Sequence, residues 1–210
     1  MLVGTVLGVL VIPGLYYIFA RIADGRKLLR DEVDEPLTEL LDHKALFEPL
    51  PEATADEIEG LLAYLERRDG KDDVSHIAAE THREFGRLLI VAKAAELLEF
   101  VTMPGHQVVL NDEGHRFIKA SPTDRKAIWR EHILQLRLFR DTQEMLHRAG
   151  GPIDSDMVRE ELILNLPGVN YEKGFATFVN WASYGDLFAY DDKTGRISSG
   201  QGGHADGSPA

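Results

Sequence analysis

Twice along this chain, apolar residues at helical spacing give way to residues alternating across a short turn. That repeated change of period restricts the fold more than any other feature. From Ala55 onward, Ile58, Leu61, Leu62 and Leu65 fall at i, i+3, i+4 and i+7, which is one face of a helix. Thr54 precedes them as N-cap with Glu57 three residues on, the capping-box spacing, and Asp69-Gly70 supplies a stop. The pattern predicts a second short helix over Asp73–Thr81. A third is predicted over Arg83–Leu98, with Phe85, Leu88, Leu89, Ala92 and Ala95 or Glu96 setting its faces. The period then becomes two: Phe100-Val101-Thr102, a Pro104-Gly105 turn and Gln107–Leu110 read as a β-hairpin. Asn111-Asp112 opens a further helix carrying Phe117 and Ile118.

The second half repeats the order. Pro122 to Ala149 reads as one long helix stopped by Gly150-Gly151-Pro152. Asp154–Leu164 follows, with Val158, Leu162 and Ile163 facing inward, and then Tyr171–Tyr184 with Phe175, Phe178, Val179 and Ala182. Leu187–Tyr190, the turn Asp191–Gly195 and Arg196–Ser199 form a second hairpin. Three helices and a hairpin are the winged-helix arrangement. The expected fold class is therefore mostly α with short β-hairpins: two tandem winged-helix units, residues 55–120 and 121–199, preceded by one transmembrane helix. Residues 200–210 read as a disordered tail.

The predicted span is Met1–Ala20, MLVGTVLGVLVIPGLYYIFA, which has no charged side chain and eleven residues that are Leu, Ile, Val or Phe. At about 1.5 Å per residue it matches a bilayer core of about 30 Å. Arg21, Arg26, Lys27 and Arg30 follow at once, which by the positive-inside rule places the remainder in the cytoplasm. The expectation is a single-pass inner-membrane protein with its soluble part in the cytoplasm. Residues 21–54 read as a basic then acidic linker, with eleven acids against Lys44 over residues 31–60.

The formal net charge of −12 argues against nucleic acid as a bulk partner. A local reader would use Arg83, Arg87 and Lys93 of the third helix, interspersed with Glu84, Glu96 and Glu99. Nucleic acid is not the expected partner. With no cysteine, thiolate chemistry is excluded. There is no GxxxxGK[ST] phosphate loop and no serine in a G-x-S-x-G setting. His76, Glu80 and His82 fall short of the three or four convergent ligands that zinc needs. Asp72-Asp73 and Asp191-Asp192 sit where aspartate serves the backbone of turns and helix starts. No catalytic residue, cofactor, metal or small-molecule substrate is expected. The basic row Lys126, Arg130, Arg137, Arg140 and Arg148 reads as a solvated helix face. Aromatics crowd residues 171–190, and Trp181, Tyr184 and Tyr190 are the candidate partner surface.

Two resemblances extend this reading. TVLGVLVIPGLYYIFARIADGRKLLRDE, within residues 1–40, resembles the last transmembrane helix and tail of resistance-nodulation-division efflux permeases. It implies no transport activity here, because the other helices of such a permease are missing. Leu50-Pro51, LLAYLERRDG, AAELLEFV, LNDEGHRF and above all NWASYGDLFAYDDKTGRIS resemble the AAA-associated C-terminal domain, over about residues 46–199. That resemblance implies an accessory domain of nitrate-, sulfonate- and taurine-type ABC transporter ATPases, with no catalytic residue to carry over. The function expected is a membrane-tethered, non-enzymatic regulatory or interaction domain whose partner is a transporter ATPase or permease subunit. The alternatives are a membrane-bound winged-helix DNA-binding regulator and a fused fragment of an efflux-permease tail.

Overall fold

The computed structural model describes residues 48–166 and 170–200. Its first element follows from its cap. The Thr54 hydroxyl accepts from Glu57 N at 3.3 Å, and the Glu57 carboxylate accepts from Thr54 N at 3.0 Å. Helix α1 (Ala55–Glu66) therefore begins where the capping box placed it, burying Ile58, Leu61, Leu62 and Leu65. Strand β1 (Lys71–Asp73), α2 (Val74–Thr81) and α3 (Phe85–Leu97) follow. Strands β2 (Val101–Thr102) and β3 (Gln107–Leu110) close an antiparallel sheet of order β1-β3-β2. Two connecting helices come next, α4 (Asp112–Lys119) and α5 (Pro122–Ile133). The same order then recurs as α6 (Arg137–Ala149), β4 (Ile153–Asp154), α7 (Ser155–Asn165), α8 (Tyr171–Tyr184), β5 (Phe188–Asp191) and β6 (Arg196–Ser199), with sheet order β4-β6-β5.

The two repeats share local devices as well as order. Asp73 and Asp154 each end a short strand and cap the next helix, accepting from Ser75 N at 2.8 Å and from Asp156 N at 2.9 Å. Glu99 and Asp186 each hold a left-handed backbone, φ 58° and 51°, just before the hairpin. Among the described residues the fold is thus eight helices with two small antiparallel sheets.

Several expectations are corrected. The helix predicted from Pro122 to Ala149 is two helices, and no glycine or proline marks the break. Leu136 and Leu138 lie about 200° apart on a continuous helix, yet both are buried. The extended backbone at Leu136 (ψ 130°) is what permits this. The basic row predicted along that helix is therefore divided between α5 and α6. The first strand of each sheet, β1 and β4, was not anticipated, because Lys71-Asp72-Asp73 and Ile153-Asp154 carry no apolar alternation. The supposed linker ends early: Leu50 and Ala53 are buried in the core.

Met1–Ala20, the linker through residue 47 and the tail from residue 201 lie outside the described residues. Among the described residues no helix is long and apolar enough to cross a membrane. The expected single-pass inner-membrane placement is therefore not supported, and no location is assigned.

One core serves both repeats, and the described residues fall in one compact unit. Trp129 of α5 lies at its centre, 6.0 Å between ring centroids from Phe100 and Phe117, 5.9 Å from Trp181 and 4.8 Å from Tyr184. Its indole donates to the Trp181 carbonyl at 3.0 Å, and the Trp181 indole donates to the Ala53 carbonyl at 2.8 Å. Buried indole N–H groups need such partners.

Candidate functional site

The aromatic patch expected at Trp181, Tyr184 and Tyr190 is not a free surface. Helix α8 turns Phe175, Phe178, Trp181 and Ala182 inward, and Trp181 is fully buried. Tyr184 is half-buried and donates its hydroxyl to Glu59 at 2.7 Å, while Arg125 pairs with the same carboxylate. Burial first, and then the hydrogen bond to Glu59, push the Tyr184 phenol well above its ordinary range. Tyr190 meets Phe175 edge-on with centroids 5.3 Å apart. The backbone N–H of Ala55 donates to Asn180 Oδ1 at 2.8 Å. Trp181, Tyr184 and Asn180 form the seam that joins α8 to α1 and the residues just ahead of it, while Tyr190 packs β5 on α8, so their aromatic density serves packing.

The basic residues expected on the third helix also fail to form a row, and Arg83 lies ahead of α3. Arg87 is held by the Glu57 carboxylate and the Glu52 carbonyl. Arg83 lies 3.5 Å from Glu57, and Lys93 is exposed on its own. Partial burial pushes the Glu57 carboxyl up, but its bonds with Arg87 and Thr54 outweigh burial and leave it below its ordinary value. Between α1, α2 and α3 lies a cavity of about 300 Å³, lined by Gly60, Leu61, Ile77 and Leu88 with Glu57, Arg67 and Arg83 as its charged groups. Beside it, Tyr64 donates to Asp72 at 2.9 Å, His76 Nδ1 is 2.9 Å from the same carboxylate, and Glu80 pairs with Arg68. Among the described residues no group of three or more His, Asp or Glu could hold a metal ion. Asp191 serves its turn, accepting from Lys193 N at 3.0 Å and from the Thr194 hydroxyl at 2.8 Å.

The exposed apolar side chains lie elsewhere. Ile163 is 50% exposed, Leu164 76% and Tyr171 41%, at the corner between α7 and α8, and Met157 is exposed on the stripe of Leu164, two turns back along α7. Ile163 was expected to face inward. Val158 and Leu162 already occupy the inward face of α7, and Ile163 and Leu164 turn about 100° and 200° away from Leu162. The sequence held that signal: the last turn of α7 carries more apolar residues than one helix face can bury. Phe85, 47% exposed at the start of α3, occupies the matching corner of the first repeat.

The C-terminal AAA-associated domain family matches residues 75–191, more than half of the chain. The chain belongs to that family. No curated protein and no solved structure matches it. The match to the AAA-associated domain begins inside α2 and runs to the end of β5. It omits α1 and β1, yet α1 supplies Leu61, Leu62 and Leu65 to the shared core, and β1 pairs with β3 from Lys71↔Val109 to Asp73↔Gln107. The folded AAA-associated domain is therefore larger than the matched segment. The efflux-permease resemblance of residues 1–40 gains no support from any match.

Proposed function

We propose that this AAA-associated domain is a non-enzymatic accessory domain that docks on an ABC-type ATPase and modulates it. The observation that carries this reading is the apolar corner Met157, Ile163, Leu164 and Tyr171. It lies inside the family-matched span and is too exposed to serve the domain's own packing. The charged side chains that would otherwise suggest chemistry are committed within the fold: Glu57 to Arg87, Glu59 to Arg125 and Tyr184, and Asp72 to Tyr64 and His76. The strand orders β1-β3-β2 and β4-β6-β5, each wrapped by three helices, support reading both repeats as winged-helix units. In that reading the hairpins β2–β3 and β5–β6 are the wings.

The test mixes the full chain with an ABC-type ATPase from the same cell. Wild type should co-sediment with the ATPase and change its rate of ATP hydrolysis, while the chain alone hydrolyses none. The double substitution Ile163→Asp with Leu164→Asp should weaken the complex at least tenfold with an unchanged circular dichroism spectrum. Absence of a complex, or a double variant that binds as wild type does, overturns the proposal.

A further inference from the structure

The cavity of the first repeat is not used by the docking corner of the second. Its floor is apolar, formed by Leu61, Ile77 and Leu88, and Gly60 opens its mouth. Gly60 stands in the middle of α1, where glycine is a poorer helix former than alanine. A Cβ at Gly60 would meet no heavy atom within 4 Å, so packing does not demand the glycine. The fold of a repeat does not demand it either. The register that matches Ile58 to Phe139 and Leu65 to Leu146 puts Asp141 at the same point of α6.

The rim carries Arg67 and Arg83 beside the Glu57 carboxylate, a net positive charge in a chain whose formal net charge is −12. Arg87 neutralises Glu57, Arg83 reaches that carboxylate only at 3.5 Å, and Arg67 makes no ion pair among the described residues. The Tyr64 hydroxyl is already given to Asp72. Arg67 and Arg83 thus hold unspent hydrogen-bond donors beside an apolar floor. Two guanidinium groups suit a planar carboxylate. The volume of this open-mouthed cavity falls at the lower end for small-molecule sites.

We propose that this cavity binds a small amphipathic monoanion, an organic acid whose carboxylate meets Arg67 and Arg83 and whose apolar body rests on Leu61, Ile77 and Leu88. Equilibrium dialysis of the full chain against labelled hexanoate tests it, with hexanol and inorganic phosphate as competitors. Hexanoate should bind saturably at one site per chain, and both competitors should be at least tenfold weaker. Arg67→Ala with Arg83→Ala should weaken binding at least tenfold. Gly60→Leu, which fills the mouth, should abolish binding while the thermal midpoint holds or rises. Failure to saturate, hexanol competing as well as hexanoate does, or Gly60→Leu binding like wild type each overturns the site. No ATPase is present in the assay, so its failure leaves the docking proposal standing.

Discussion

Two glycines of the first half, each inside a helix, stand in opposite surroundings. Around Gly60 of α1 there is open space, whereas a Cβ on Gly114 of α4 would collide with the Phe100 carbonyl and lie 2.8 Å from Leu110 Cδ1. The same substitution therefore has opposite signs. Gly60→Ala should stabilise the protein by about 0.5–1 kcal/mol, by reducing the freedom of the unfolded chain. Gly114→Ala should cost about 1–3 kcal/mol through overpacking. Urea denaturation of the two variants checks both, and a destabilised Gly60→Ala would show that α1 needs its glycine for folding. Neither role could be read from the sequence, where each glycine is only a weak helix residue. The difference comes from the Phe100 carbonyl, which a neighbouring segment brings over α4. Trp181 shows the same limit: its crowding was legible, but its burial depends on Ala53, which is distant in sequence.

At the scale of the element, the caps were legible and the short strands were not. Thr54 and Asn111 begin helices as their side chains dictate, and Thr54→Ala should cost about 1 kcal/mol. Strands β1 and β4 exist because β3 and β6 offer them backbone partners. A run such as Lys71-Asp72-Asp73 has no pattern that announces this. The corner of α7 and α8 falls between these cases, since its surplus of apolar residues was visible but its outward direction was not. The α1 cap also sets a pH response. The folded pKa of Glu57 is lowered, so its contribution is fully present above the ordinary carboxylate range and is lost as pH falls through the folded value. Stability should therefore decline in acid, and Glu57→Gln should make that decline shallower. On the alkaline side, burial and then Asp72 push the Tyr64 phenol up to about 12. Its contribution is present below its ordinary 10.0 and is lost as pH rises through the folded value, a loss that Tyr64→Phe should remove. Thermal midpoints measured across pH read both effects.

For the whole molecule, the shared core argues that the repeats unfold together. Trp129 touches Phe100 and Phe117 on one side and Trp181 and Tyr184 on the other. Trp129→Ala should cost about 3–5 kcal/mol. Tryptophan fluorescence and far-ultraviolet circular dichroism should report one coincident transition in wild type, and two separated transitions would show independent repeats. That shared core was the least legible feature of the sequence, in which residues 55–120 and 121–199 read as separate units. The segment ahead of α1 is bound to both. Ala53 accepts from the Trp181 indole, while Glu52 meets Lys173 at 2.9 Å and gives its carbonyl to Arg87. The chain thus enters the fold through its own clasp. Tension drawn on residue 48 would reach the Trp181–Trp129 pair as soon as it reached α1, so a pull on the N-terminal side should open the molecule as one body instead of peeling off the first repeat.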